Sequence, residues 1–154
     1  MEITLSNGGV VLFDDEDFEL VNAYHWHVDN AGYARTNIWS GGRKSAAPRM
    51  HRLILGDVDS KLHIDHINGN KLDNRKSNLR ICTASENARN RGKQRNNTSG
   101  YKGVCYDKAR QKWKAEIKAN GVRRMLGRFN TAEDAHQAYV NAAKELHGDF
   151  ANIN

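Results

Sequence analysis

Asp65 and His66 stand side by side, Asn78 follows twelve residues after His66, and Asn87 follows twenty-one after it. That is an oxygen donor beside an imidazole, with two amide side chains further along. Hydrolysis of a phosphodiester needs an activated water, a cation to stabilise charge on the phosphate and the departing oxygen, and groups that hold both in place. Histidine, with an ordinary pKa of about 6.5, accepts a proton near neutral pH. Neighbours on a strand point to opposite faces, so Asp65 could hold a metal while His66 addresses a water on its own side. Asn87, early in a helix, could add a second oxygen. Oxygen donors suit one divalent ion, magnesium or manganese, rather than zinc. Singly, each residue has an ordinary explanation as a hydrogen-bonded histidine or a turn asparagine; the ordered set points to chemistry.

The elements that must position this set are a strand, a loop, a strand and a helix. Leu62 to Ile67 alternates apolar and polar residues and ends at the turn sequence Asn68-Gly69-Asn70. Lys71 to Ser77 is a polar loop, and Leu79 to Cys82 reads as the returning strand. Thr83 and Glu86 have the spacing of a capping box for a helix through Asn90. Residues 61–91 have too few apolar side chains for a core of their own. Either a bound metal or packing against the N-terminal part must hold them.

Residues 1–50 read as short strands and turns, with a hairpin around Asn7-Gly8-Gly9 and a short helix carrying Phe18, Leu20 and Val21. Trp26, Tyr33 and Trp39 are expected as core or sheet aromatics, and Gly41-Gly42 with Pro48 as a loop. Further on, Trp113, Ala115, Ile117 and Ala119 alternate with Lys114, Glu116 and Lys118, a half-buried strand. Asn120-Gly121 is a hairpin turn signal, Val122 to Phe129 the returning strand, and Gly103 to Tyr106 a first strand. Thr131 opens a helix whose small apolar residues recur through Leu146 on one face, and Gly148 fits its C-terminal cap. The fold class expected is α+β: N-terminal strands with a ββα finger, a basic linker at 92–99, then a three-stranded antiparallel sheet packed on one C-terminal helix.

The charge is uneven. The 154 residues carry 24 Lys and Arg against 18 Asp and Glu, a net charge of +6. Residues 1–50 are net negative, which argues against their lying along a phosphate backbone. Residues 89–128 hold thirteen Lys or Arg against Asp107 and Glu116, and a polyanion is the natural partner of such a block. No apolar run approaches the roughly 20 residues of a membrane span, and no leader is apparent in the sequence. An intracellular, non-secreted protein is therefore expected. Two cysteines, Cys82 and Cys105, are too few for a four-cysteine zinc site.

The stretch His63-Ile64-Asp65-His66-Ile67-Asn68-Gly69-Asn70, continuing through Leu72-Asp73-Asn74-Arg75-Lys76-Ser77-Asn78-Leu79-Arg80, resembles the HNH (His-Asn-His) nuclease family, in its phage and intron-borne homing subgroup. Met50 to Leu55 and Ala84 to Asn90 resemble it too, so about 45 residues are covered. The resemblance implies a nuclease domain over 1–91 with a ββα-metal finger at about 61–91. His66 would be the general base that deprotonates water, and Asp65 and Asn87 the ligands of one divalent metal. Asn78 would brace the loop and orient His66. The motif's last His is Asn87 here, a departure the phage-type subgroup shares. His51 is a lesser candidate for a phosphate contact or an orienting role, with core packing or helix capping as competing readings; His63 is expected to pack on the strand. No structural zinc is expected.

Gly100-Tyr101-Lys102-Gly103-Val104, Lys112 to Lys118, Leu126-Gly127-Arg128-Phe129, Thr131 to Ala135 and Ala151-Asn152 resemble the plant ethylene-response-factor (Apetala-two type) DNA-binding domain over about 55 residues. The resemblance implies a sheet lying in the major groove with the helix behind it. Lys102, Glu116, Lys118 and Arg123 would face bases or phosphates, Tyr139 a phosphate, and Trp113 the core. Lys114 and Arg128 share the basic sheet, and Arg89, Arg91, Lys93 and Arg95 would track phosphates beside it. Cys105, Met125 and Arg128 depart from the family's usual residues, so its target sequence does not transfer.

Together these readings predict a metal-dependent, site-preferring DNA endonuclease, a hydrolase of bacterial or phage-infected cytoplasm. Its partner is double-stranded DNA, with neither membrane nor small-molecule cofactor, and the enzyme is a monomer or weak dimer. The competing readings are a non-enzymatic DNA-binding transcriptional regulator and a broad-specificity nuclease.

Overall fold

The computed structural model describes residues 1–94 and 96–153; Arg95, one of the expected phosphate contacts, lies outside the described residues. The chain divides into two units, Met1–Thr83 and Ala84–Asn154.

In the first unit, β1 (Glu2–Thr4) and β2 (Val10–Leu12) pair antiparallel across the expected turn, with Ile3 opposite Val11. The acidic run forms a 3-10 turn, Asp15–Asp17, that leads into α1 (Phe18–Asn22). β3 (Trp26–Val28) pairs with β4 (Ala34–Thr36), and β5 (Ile38–Ser40) with β6 (Arg43–Ala46). The Gly41-Gly42 segment, expected as a loop, is therefore the turn of a hairpin. Both glycines take positive φ, 57° and 75°, the requirement of the tight turn that suits a twisted two-stranded ribbon. Trp39 lies on that ribbon at 64% exposure and so is not a core residue. α2 (Met50–Leu55) follows.

The finger strands β7 (His63–His66) and β8 (Leu79–Cys82) pair with Asp65 opposite Arg80 and His66 opposite Leu79. Their Ile64 and Leu79 join one core with Val11, Phe13, Trp26 and Met50. Packing against the N-terminal part thus holds the finger. The loop is held too: Leu12 N donates to Leu72 O at 2.8 Å, and Asn74 N to Leu12 O at 2.7 Å. Asp14 accepts from Lys76 N at 2.7 Å. The Lys76 ammonium pairs with Glu16, and with Asp17 at 3.1 Å. The acidic run is therefore used inside the protein, as the anchor of the finger loop.

In the second unit, β9 (Val104–Asp107), β10 (Lys112–Ala119) and β11 (Val122–Phe129) form an antiparallel sheet with β10 in the centre. The alternation of β10 buries Ala115, Ile117 and Ala119 against α4 (Ala132–His147). Ala135 and Ala143 are fully buried on the helix, because residues this small let backbone approach backbone. Thr131 Oγ1 accepts from Asp134 N at 3.1 Å, and the Gly148 N–H bonds to Lys144 O, closing both helix ends as the sequence suggests. Gly103 is wedged where β9 begins: its φ is +73°, and a Cβ there would lie 2.3 Å from the Tyr139 ring and 2.7 Å from Glu116 O.

α3 (Ala84–Asn90), read from the sequence as part of the finger, groups with the second unit. The carbonyls at a helix C-terminus lack partners within the helix, and here two side chains meet them. Lys102 Nζ donates to Arg89 O at 2.8 Å, and Asn152 Nδ2 to Asn90 O at 2.7 Å. Among the described residues, no helix is long and apolar enough to cross a membrane.

Candidate active site and nucleic-acid interface

His66 closes β7 and is 4% exposed. Its Nε2 lies 3.4 Å from Asn74 Oδ1. Asn74 holds the ring on that side, its oxygen suited to receive an Nε2–H. Two rings wall the imidazole: His51 of α2 meets it edge to face at 5.2 Å, and Tyr33 lies at 5.8 Å. Tyr33 is itself covered by the Arg49 guanidinium at 4.1 Å and the Lys71 ammonium at 4.8 Å. Burial lowers the pKa of His66 from its ordinary 6.5. The Asn74 hydrogen bond and the Asp65 and Asp73 carboxylates pull it up, and Lys71 adds to the lowering. The imidazole is therefore neutral and able to accept a proton at physiological pH.

Asp65, on the opposite face of the strand, is 7% exposed, and Arg80 Nε and Nη2 both donate to its Oδ2, at 2.9 and 2.7 Å. The strand register makes this pair, since residues directly opposite one another share a face. Asn78 braces the loop: its Nδ2 donates to Asp73 O at 2.7 Å, and its Oδ1 accepts from Asn68 N at 3.0 Å. The amide that reaches His66, however, is Asn74. Asp73 completes the brace, paired with Arg75 at 2.7 Å and accepting from Asn68 Nδ2 at 2.9 Å. Asn87 lies half-buried on α3 in the second unit, and its partnership with Asp65 stands on the sequence motif. Among the described residues, no three of His, Cys, Asp and Glu cluster as a metal site. The donors on offer are carboxylate and amide oxygens, a set that fits a hard divalent ion.

Four residues of this centre were not singled out by sequence: Tyr33, Arg49, Asn74 and Arg80. Arg80 had a signal, since pairing 63–66 with 79–82 sets it opposite Asp65. Tyr33 and Arg49 arrive by long-range packing and had none.

His51 is 6% exposed, and of the readings open to it the structure places it in the core, against His66 and Tyr33. Burial first, then His66, Arg49 and Arg52, push its pKa down to about 3, against an opposing pull from Asp29. Below pH 6.5 the unfolded chain therefore takes up a proton that the folded chain refuses, so stability falls as the medium is acidified toward pH 3. One such proton corresponds to about 1.4 kcal/mol per pH unit. Urea unfolding between about pH 6 and pH 4 should show at least that slope, and His51→Leu should flatten it by about that amount.

In the second unit, the sheet face turned away from α4 carries Lys114, Glu116 and Lys118 from β10 and Arg123 and Arg128 from β11. Lys114 pairs with Glu116 at 3.1 Å and Arg128 with Asp107 at 2.9 Å; Lys118 and Arg123 are exposed. Arg91 and Lys93 are exposed as well, and Arg89 Nη2 donates to Asn120 Oδ1 at 2.8 Å. Two expected DNA contacts are corrected. Tyr139 is 3% exposed, its phenol pushed up to about 12 by burial, so it is a core residue facing Ile117 and Ala143 rather than a phosphate. Lys102 is half-buried and lowered to about 8 by burial, its ammonium turned to the carbonyls of Arg89 and Asn152. Its role is to hold α3.

The model of an HNH endonuclease family matches residues 50–89, and that of the AP2 domain matches residues 99–149. An uncharacterized HNH endonuclease of Acanthamoeba polyphaga mimivirus is 31% identical over 140 residues, spanning 90% of this chain and 71% of that protein. The chain belongs to the HNH endonuclease family, as a DNA-cleaving hydrolase that carries an AP2 domain. Protein 3.8 of Escherichia phage T7 is 34% identical over 111 residues, 70% of this chain and 91% of the phage protein. A solved structure of DNA binding and cleavage by the HNH homing endonuclease I-HmuI covers 80% of this chain and 75% of its own at 24% identity. Its TM-score is 0.41.

Proposed function

We propose that the chain is a metal-dependent, site-preferring DNA endonuclease of the homing type, cutting with residues 1–91 and selecting DNA with residues 100–154. The observation that carries this reading is the buried, neutral His66, backed by Asn74 and flanked on its strand by Asp65. His66 takes the proton of the attacking water, and Asn74 and the Tyr33 and His51 rings hold its plane. Asn78 fixes the loop from which Asn74 projects. Asp65 and Asn87 would hold one divalent ion, magnesium or manganese, which when bound neutralises charge on the phosphate and the departing 3′ oxygen. Arg80 keeps the Asp65 carboxylate oriented in a buried setting. Lys114, Glu116, Lys118, Arg123 and Arg128 face the major groove, and Arg89, Arg91, Lys93 and Arg95 follow the backbone. Holding a weakly binding catalytic centre near its phosphate raises the effective concentration of substrate, and a monomer or weak dimer suffices for nicking.

The test is nicking of supercoiled plasmid by the whole chain with magnesium and with EDTA. Nicked circles should accumulate only with the metal, and a restricted set of break positions should appear on sequencing the ends. A DNA-binding regulator would shift the plasmid in a gel under both conditions and leave it supercoiled. A broad-specificity nuclease would scatter its breaks.

A further inference from the structure

The helix that carries Asn87 has little to hold it in place. None of the residues of α3 is buried, and its only apolar side chains are the methyls of Ala84 and Ala88. A helix this short is unstable by itself, and this one has no apolar face to pack. Polar contacts must hold it, and at its last turn they come from its own unit. Lys102 Nζ donates to Arg89 O at 2.8 Å, and Asn152 Nδ2 donates to Asn90 O at 2.7 Å. The Arg89 guanidinium reaches Asn120 Oδ1 at 2.8 Å. Arg89 and Asn90 follow Asn87 within a single helical turn.

The two donors are themselves rooted in the packed part of the second unit. Tyr101, just before Lys102, stacks on His136 of α4 at 4.5 Å, and its hydroxyl donates to Glu133 at 3.2 Å. Gly103, just after it, is seated against the Tyr139 ring, and its carbonyl accepts from Glu116 N at 2.8 Å. Lys102 Nζ makes a second bond, to Asn152 O at 3.1 Å, so the two anchors are tied to each other. Asn152 stands between Ala151 and Ile153, which pack on the core of Ile117, Tyr139 and Ala143. Lys102 is half-buried with its ammonium turned inward to carbonyls, where a phosphate contact would need it in solvent.

The structure assigns Lys102 and Asn152 as positioning residues for the nuclease: by holding the last carbonyls of α3, they fix Asn87 as a ligand for the divalent ion. This rests on the reading above in which Asn87 is such a ligand. A ligand on a helix with no packed face is oriented by whatever holds the helix. Loss of an outer support of this kind typically costs about 10- to 100-fold in metal affinity or activity. The second unit thereby has a task besides binding DNA, since the ion is held only as firmly as α3 is.

The test uses the whole chain and manganese, with affinity read from the EPR signal of the free ion. Asn87→Ala is the reference and should weaken manganese binding. Lys102→Met keeps the buried stem and removes the donor; it should weaken binding about tenfold or more. Asn152→Ala should act in the same direction, and Lys102→Arg, which retains a donor, should recover part of the loss. The magnesium concentration for half-maximal plasmid nicking should rise by the same factors. In EDTA, Lys102→Met should leave the dependence of duplex affinity on salt unchanged, because no phosphate contact is lost. Wild-type manganese affinity in Lys102→Met and Asn152→Ala, beside weakened binding in Asn87→Ala, would overturn the inference and leave the ligand reading intact. An Asn87→Ala variant that binds manganese like the wild type would overturn both. A shallower salt dependence in Lys102→Met with unaltered manganese binding would return this lysine to a phosphate and also overturn the inference.

Discussion

His66→Ala is expected to lower the nicking rate with magnesium by about a hundredfold to ten-thousandfold, the usual contribution of a positioned general base, while duplex affinity in EDTA stays at the wild-type value. The residue is nearly fully buried, so the substitution leaves a hole where a proton acceptor stood. Imidazole added to the buffer should restore part of the rate, in proportion to its neutral fraction. That rescue separates loss of the base from loss of structure, since a misfolded centre would not respond. A variant that nicks at the wild-type rate would remove His66 from the chemistry and direct attention to His51 and Tyr33, the rings packed against it.

Gly103→Ala should unfold the AP2 domain at a markedly lower temperature. Two effects combine. An L-residue at φ +73° is strained by about 1 kcal/mol or more. In addition, its Cβ would lie 2.3 Å from the Tyr139 ring and 2.7 Å from Glu116 O, contacts that only a shift of the buried helix or of the central strand can relieve. A cost of about 3–5 kcal/mol follows, which at about 4–8 °C per kcal/mol for a small unit lowers the melting temperature by more than 10 °C. Gly121→Ala is the control: its φ is +79°, but a Cβ there meets nothing within 4 Å. It should lose only the strain. Equal melting temperatures for the two variants would show that the close approach at Tyr139 is not a real constraint.

The AP2 domain was the more legible half of the fold because its residues obey one period each. Alternation from Trp113 to Ala119 gave the central strand, and the stripe through Ala132, Ala135, Tyr139 and Ala143 gave the helix face. That same stripe already set Tyr139 in the core, while the family resemblance set it on a phosphate; the helical period was the better guide. The finger was legible as Asp65, His66 and Asn78, but its surroundings were not. His51 and Tyr33 reach His66 by packing of α2 and the β3–β4 connection on β7, and nothing local in their sequence announces it. The β5–β6 ribbon escaped notice for a different reason. A ribbon exposed on both faces has no buried side, so no alternation of apolar and polar residues marks it. Lys102 was set facing DNA by the family resemblance, and nothing in the sequence distinguishes a lysine at a phosphate from one bound to carbonyls at a helix end.

The anchoring of the finger loop to strand β2 and the acidic run also has a temporal side. Lys76 meets Asp14 across 62 positions, and Asn74, the residue behind His66, is held by Leu12. Contacts this far apart in the chain form late, because the intervening loop must close first. On a ribosome the strand emerges long before the loop that docks on it, so the finger loop settles only once residues 72–76 have reached Leu12 and Asp14.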